Sequence, residues 1–165
     1  MVCIPVLTAL GISLGSCSKP ELPLPSMPSF YTNLAANKGQ VDAGAARDMI
    51  SIYRRNNGAS VVSLDPELQE LAQQQALAMA KADSMSHDVR GSLRSRLDGA
   101  GYRHGAAVEN ISAGYHTLAE AFSGWRQSRS HNENMLNGRM RRMGIAVAHA
   151  PQSKYKVYWA LIMSD

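Results

Sequence analysis

The sequence predicts an α+β domain in which helices lie against a small sheet. Three observations point there. Two stretches, 45–58 and 64–83, repeat apolar residues at helical spacing. Two apolar, β-branched runs close the chain, Met143–Ala150 and Lys154–Met163, with a turn at Pro151 between them. A further extended run, Ala106–Tyr115, carries an acidic residue inside an otherwise apolar pattern.

The elements follow in order. In "AARDMISIYRRNNG" (Ala45–Gly58), Ala46, Met49, Ile50 and Tyr53 share one helical face, and Asn57-Gly58 is a stop signal. "LDPELQELAQQQALAMAKAD" (Leu64–Asp83) is the clearest helix. Asp65 is its N-cap and Pro66 its first helical residue, and Leu68, Leu71, Ala72, Ala76, Met79 and Ala80 form its stripe. Its alanine content implies close packing on a sheet. "GSLRSRLDGAGY" (Gly91–Tyr102) reads as a short helix ending at Gly99 or Gly101, and Ala106–Tyr115 as a strand. "TLAEAFSGWRQS" opens with a capping box, Thr117 with Glu120, and buries Leu118, Phe122 and Trp125. Ser130–Glu133 reads as a second capping box at the start of a further short helix. The terminal runs look like an antiparallel pair. No internal repeat is present.

The chain has 165 residues, enough for one domain with a real core, and 45% hydrophobic against 18% charged residues is ordinary for a globular protein. A net charge of +4 suits an anionic envelope surface. No Lys/Arg stripe with interleaved aromatics occurs, so nucleic acid is not an expected partner. Both cysteines, Cys3 and Cys17, lie in the first 17 residues, which leaves the folded part without an intrachain disulfide or a Cys-based zinc site.

"IPVLTALGISLGSC" (Ile4–Cys17) is an apolar run ending in small residues, too short to span a bilayer as a folded helix. It resembles a bacterial lipoprotein signal, with "LGSC" as the lipobox and Cys17 as the lipidated residue, although no Lys or Arg precedes it. An ordinary secretory signal is the alternative. "GISLG" and "SCSK" match nucleophile motifs but lack the strand–turn–helix context those motifs need. Four of the seven prolines fall in residues 18–40, a semi-rigid spacer unless Phe30 and Tyr31 pack it onto the domain. The organisation is therefore a signal peptide at 1–16, a lipidated Cys and spacer at 17–41, and a folded domain at 42–165.

Among the polar residues, Glu109 in "VENIS" stands out, because a carboxylate in an apolar strand needs a partner or a cavity. A bond to a neighbouring loop would satisfy it equally. His131, at the first helical position after Ser130, suits a neutral imidazole able to ligate a metal or accept a proton, or else a structural bond to a carbonyl. His87 follows a serine in the same way. Glu133 is a cap by its spacing, with cleft lining as the other reading. No H-E-x-x-H is present, and spacing alone defines no metal site.

"DPELQELAQQQALAMAKADSMSHD", "VENISAGYHTLAEAFSGWRQSRSHNENML", "RRMGIAVA" and "YWALIM" together resemble the CAP superfamily (cysteine-rich secretory proteins, antigen 5 and pathogenesis-related 1), closest to its bacterial SCP-like branch. The resemblance covers Ala45 to the C-terminus. It implies a three-layer α-β-α sandwich with a central antiparallel sheet, and an open cleft lined by histidines and acids. Carried over by position, the first histidine is His87 and the E-N glutamate is Glu109, followed by Asn110. Tyr158 stands where the second histidine of the animal members is expected. The bacterial S-x-x-H-x-x-N block corresponds to Ser128, His131 and Asn134, with Asn110, Asn134 and Trp125 in structural roles. A divalent metal such as zinc on His87 and His131 is the implied cofactor.

The functional expectation is a monomeric, extracytoplasmic lipoprotein held at the cell envelope through its lipid anchor, or secreted. Its cleft of His87, Glu109, His131 and Glu133 would bind a small ligand, lipid or envelope component. A metal-assisted hydrolase using His87, Glu109 and His131 is the alternative.

Overall fold

The computed structural model describes residues 27–37 and 40–165. The expected signal segment 1–16, the lipidation site Cys17 and most of the spacer lie outside the described residues. The described chain runs through a short 3-10 turn (Ser29–Tyr31), α1 (Leu34–Asn37), α2 (Ala43–Asn56), β1 (Ser63–Leu64), α3 (Pro66–Ala82), α4 (Leu93–Gly99), β2 (Ala107–Ala113), α5 (Leu118–Gln127), α6 (Arg129–Leu136), β3 (Arg142–Ala150) and β4 (Lys156–Ser164).

The sheet order is β1-β3-β4-β2. β3 and β4 pair antiparallel from Arg142↔Ser164 to Ala150↔Lys156. β2 pairs antiparallel with β4 from Ala107↔Ser164 to Ala113↔Tyr158. The two-residue β1 adds a parallel contact to β3, a strand too short to announce itself in the sequence. Where β1 stops, a side chain continues the edge: Gln69 Nε2 donates to Ile145 O at 2.6 Å, and Ile145 N donates to Gln69 Oε1 at 3.1 Å.

Strand alternation sorts the core into two halves. On β4, Val157, Trp159, Leu161 and Met163 face α2 and α5, together with Met143, Ile145 and Val147 of β3. Tyr158, Ala160 and Ile162 face the other way, with Ala146 and Ala148, onto the Leu68–Met79 stripe of α3 and Leu97 of α4. The result is a three-layer α-β-α sandwich. Gly144, Ala146, Ala148 and Ala160 keep part of the α3 face small, so the helix comes very close. A Cβ on Gly144 would lie 2.2 Å from Gln69 N and from Leu68 C, so only glycine fits there.

The caps set the helix bounds. Asp65 Oδ1 accepts from Glu67 N and Leu68 N, with Pro66 at the first helical position, as its sequence requires. Thr117 and Glu120 form both halves of the capping box that starts α5. α2 starts two residues before Ala45, because Asp42 accepts from Ala45 N at 2.9 Å. The capping box read at Ser130–Glu133 does not form. Ser128 both ends α5 and begins α6, which places Ser130 inside the helix. Glu133 instead takes the Arg129 guanidinium at 2.9 Å, one turn back on the surface. In the N-terminal segment, Phe30 packs on the core while Tyr31 remains 54% exposed.

Buried polar side chains appear where the helical stripes predicted only apolar ones. Arg54 of α2 is fully buried and donates to the carbonyls of Ser60, Met135, Asn137 and Met140, tying α2 to the end of α6 and the approach to β3.

Candidate functional site

β2 is an edge strand, so both helical layers can reach around it. Its residues alternate faces. Glu109 pairs with Ile162, on the α3 side of the sheet, and Asn110 pairs with Leu161, on the α5 side. The adjacent Glu and Asn therefore serve opposite layers, and the site forms where the layers meet at this edge.

On the first side, the loop between α3 and α4 brings His87 to Glu109. His87 Nδ1 lies 2.8 Å from Glu109 Oε1. A carboxylate oxygen accepts, so Nδ1 carries the proton and Nε2 is turned away from the strand. The Glu109 side chain is 2% exposed and that of His87 50% exposed, so the acid is interior and the ring is its solvent-facing end. Arg96 of α4 fills the remaining side of the carboxylate, Nη2 to Oε2 at 2.8 Å. Gln75 of α3 holds the loop, donating from Nε2 to Ser86 O at 2.9 Å and to His87 O at 3.3 Å.

On the second side, Asn110 Nδ2 donates to His131 O at 2.9 Å. Asn134 Nδ2 donates to Asn110 Oδ1 at 2.9 Å and to Glu109 O at 3.2 Å. Asn134 thus ties α6 to the sheet, and with Asn110 it sets where His131 stands. Trp125, buried from α5, donates from Nε1 to Ile111 O at 3.4 Å and ties α5 to β2.

The two imidazoles are near enough to act on each other. The bond from Glu109 raises the affinity of His87 for a proton above the ordinary histidine value. Burial opposes that rise, the charges of Glu109 and Asp88 reinforce it, and Arg96 counters it. His131 shifts the other way, mainly because burial disfavours its charged form and secondarily because His87 repels it. The neutral imidazole anticipated at a helix start is therefore favoured chiefly by burial.

His87 and Glu109 are in direct contact, while His131 is tied to the same edge strand through its backbone carbonyl on Asn110. Glu133 does not join them: it is two residues from His131, about 200° around a helix of 3.6 residues per turn, and its carboxylate is on Arg129 at the surface. Tyr158, in the place of the animal members' second histidine, is buried and donates to Asp83. Among the described residues, no group of three or more His, Cys, Asp or Glu side chains is placed to hold a metal ion. Both oxygens of Glu109 are engaged, which leaves His87 Nε2 and the His131 ring as the available nitrogen donors.

Sequence reasoning missed Arg96 and Gln75. Gln75 carried a signal, because it falls in the Leu68–Met79 stripe, where a buried amide must have a partner. Arg96 carried none: "LRSRLDG" offers Arg94 and Arg96 in equal surroundings, yet the first side chain is 86% exposed and the second 3%.

A separate apolar recess of about 630 Å³ lies along α2, lined by Phe30, Met49, Ile52, Tyr53 and Phe122 among others. It does not include His87, Glu109 or His131. One contact links it to the polar site: Tyr53 Oη donates to Asn132 Oδ1 at 2.8 Å, next to His131 on α6.

Residues 47–163 match the family model described as cysteine-rich secretory protein family, CAP. Solved structures share the fold. An SCP-domain extracellular protein of Bacillus anthracis aligns over 74% of this chain and 39% of its own length, with 22% identity and a TM-score of 0.65. A cysteine-rich secretory protein of Staphylococcus aureus aligns over 74% of this chain and 37% of its own, with 17% identity and a TM-score of 0.61. An outer surface protein of Borrelia burgdorferi aligns over 74% and 90%, with 15% identity and a TM-score of 0.66. The chain thus spans well under half the length of the first two. No curated protein matches the sequence significantly.

Proposed function

Because the chain belongs to the cysteine-rich secretory protein (CAP) family, we propose that it is an extracytoplasmic binding domain whose groove at the edge of β2 takes a small ligand, a lipid or an envelope component. The observation that carries this reading is the His87–Glu109 pair on one face of β2, with Asn110 on the other face holding the carbonyl of His131. Two imidazoles of opposite proton affinity give one donor-rich and one acceptor-capable wall, which is a recognition surface for a polar head group. The apolar recess, joined to α6 through Tyr53 and Asn132, supports a lipid as one class of ligand.

The alternative, metal-assisted hydrolysis, asks Glu109 to take up a proton. Its two oxygens already accept from His87 and Arg96, so binding has the better support. Of the two imidazoles, His87 has the orientation common in metal-bound histidines, a carboxylate on its other ring nitrogen, and a divalent ion such as zinc would need atoms of its ligand or of water to complete the set. His87 and His131 would hold it, and the ion would supply Lewis-acid contact to a ligand oxygen.

Localisation at the envelope, with Cys17 as lipid anchor, belongs to the same proposal. It is supported by the "LGSC" sequence and by structural relatives described as extracellular or outer surface proteins.

The test is a calorimetric panel of envelope lipids and wall fragments, run on the wild type, on a His87→Ala/His131→Ala variant and with or without chelator. Loss of a wild-type ligand in the double variant supports the reading. Retention of every ligand removes the groove from it. Metabolic labelling with a radiolabelled fatty acid tests the anchor: Cys17→Ser should abolish incorporation, and labelling that persists would refute it.

A further inference from the structure

The site described above contains a buried side chain that meets each part of the His87–Glu109 pair. Arg96 is 3% exposed, so nothing bound in the groove reaches it from solvent. Its Nη2 donates to Glu109 Oε2 at 2.8 Å and to the carbonyl of His87 at 3.3 Å, and its Nε donates to Gly91 O at 3.2 Å. One planar group therefore fixes the carboxylate and two carbonyls of the loop that carries the imidazole, at its middle and near its α4 end.

We propose that Arg96 is the positioning residue of the groove: its guanidinium aligns Glu109, and Glu109 in turn sets the orientation and tautomer of the His87 ring. The inference rests on the reading of this groove as the binding site, but it concerns the ring itself and not any ligand.

The physical reasoning starts from burial. Glu109 projects from an apolar strand with its side chain 2% exposed. A carboxylate in that position is costly unless each oxygen accepts a hydrogen bond. His87 alone satisfies one oxygen, and it is half exposed and free to turn. Without Arg96, Oε2 would be left without its donor, and the carboxylate would rotate or draw in water in place of holding Nδ1. With Arg96 in place, the carboxylate has one orientation, and that orientation demands a proton on Nδ1. Nε2 is then left on the side of the half-exposed ring away from Glu109. Lysine cannot substitute, because a single ammonium lacks the fixed fork that reaches the carboxylate, the His87 carbonyl and the Gly91 carbonyl together. Gln75 completes the clamp from α3 by holding the carbonyls of Ser86 and His87.

The experiment reads the ring directly. Long-range ¹⁵N–¹H spectra of chelator-treated protein, taken at a pH where His87 is neutral, assign its tautomer. The wild type should show His87 as the Nδ1–H form. Arg96→Gln should convert it to a mixture dominated by the Nε2–H form that an unconstrained imidazole prefers. A folded Arg96→Gln protein that keeps the Nδ1–H form overturns the proposal, because Arg96 would then be a bystander in the core. Replacing a buried arginine can prevent folding, so the unaltered protein supplies a second readout. Clamped as described, Arg96 should give separate Nη proton signals from hindered rotation, and a single averaged signal would overturn the proposal equally. Neither measurement involves a ligand, so failure of the binding reading leaves this result standing, and the converse holds as well.

Discussion

Gly144→Ala tests the close approach of α3 to the sheet. The added methyl would lie 2.2 Å from Gln69 N and Leu68 C, both backbone atoms of a helix start that cannot swing aside. Ordinary contact begins near 3.4 Å, so α3 must retreat by about 1 Å, a gap that forfeits a quarter to a half of the dispersion attraction along the interface. That interface holds Leu68, Leu71, Ala72, Ala76 and Met79, and the exchange between Gln69 and Ile145 breaks with it. Overpacking of this kind costs about 3 kcal/mol. For a chain of this size that corresponds to a fall in Tm of about 10 °C. The retreat also displaces Gln75, so the loop carrying His87 should loosen. Guanidinium and thermal unfolding followed by circular dichroism measure the first effect, and amide exchange across residues 84–91 the second. Gly99→Ala is the control: nothing lies within 4 Å of its added methyl, and its stability should stay within about 0.5 kcal/mol of wild type. If Gly144→Ala is as benign as Gly99→Ala, the account of the α3 face is wrong.

Two further outcomes follow from the same structure. Arg54→Met should cost about 3 kcal/mol or more in a denaturant melt, because it strips four carbonyls of their donor, those of Met135 and Met140 in buried bonds, whereas the exposed Arg55→Met should change stability by less than about 0.5 kcal/mol. The two site histidines should give pH effects of opposite sign in metal-free protein. His87 has a raised proton affinity in the fold, so its contribution is complete below the unfolded value near 6.5 and is lost as pH climbs through the higher folded value. His131 has a lowered one, so its contribution is present above that value and is lost as pH falls toward the folded value. Stability measured against pH should therefore lose its decline on the alkaline side of 6.5 in His87→Asn, and its decline on the acid side in His131→Asn; a slope unchanged by the matching substitution would refute the assignment.

Local signals in the chain were enough for the longer elements, whereas α1 and the two-residue β1 gave none, and the layers were implied by the family resemblance. Pro66 after Asp65 could only begin a helix. Thr117 with Glu120 caps one as read. The alternation of Val157, Trp159, Leu161 and Met163 with Tyr158, Ala160 and Ile162 required a strand buried on both faces. The family blocks pointed to His87, Glu109 and His131, and a period of two explains why Glu109 and Asn110 had to face different layers. The choice of partners was not local. Whether Ser128 or Ser130 begins α6 depends on where α5 ends, and that sent Glu133 to Arg129 and away from a cap. Arg94 and Arg96 have the same neighbours in sequence; only the docking of α4 beside the edge strand exposes one and buries the other against Glu109. A sequence fixes periodicity and caps because these act within a few residues, whereas the partner of a buried charge is decided by which distant segment arrives beside it.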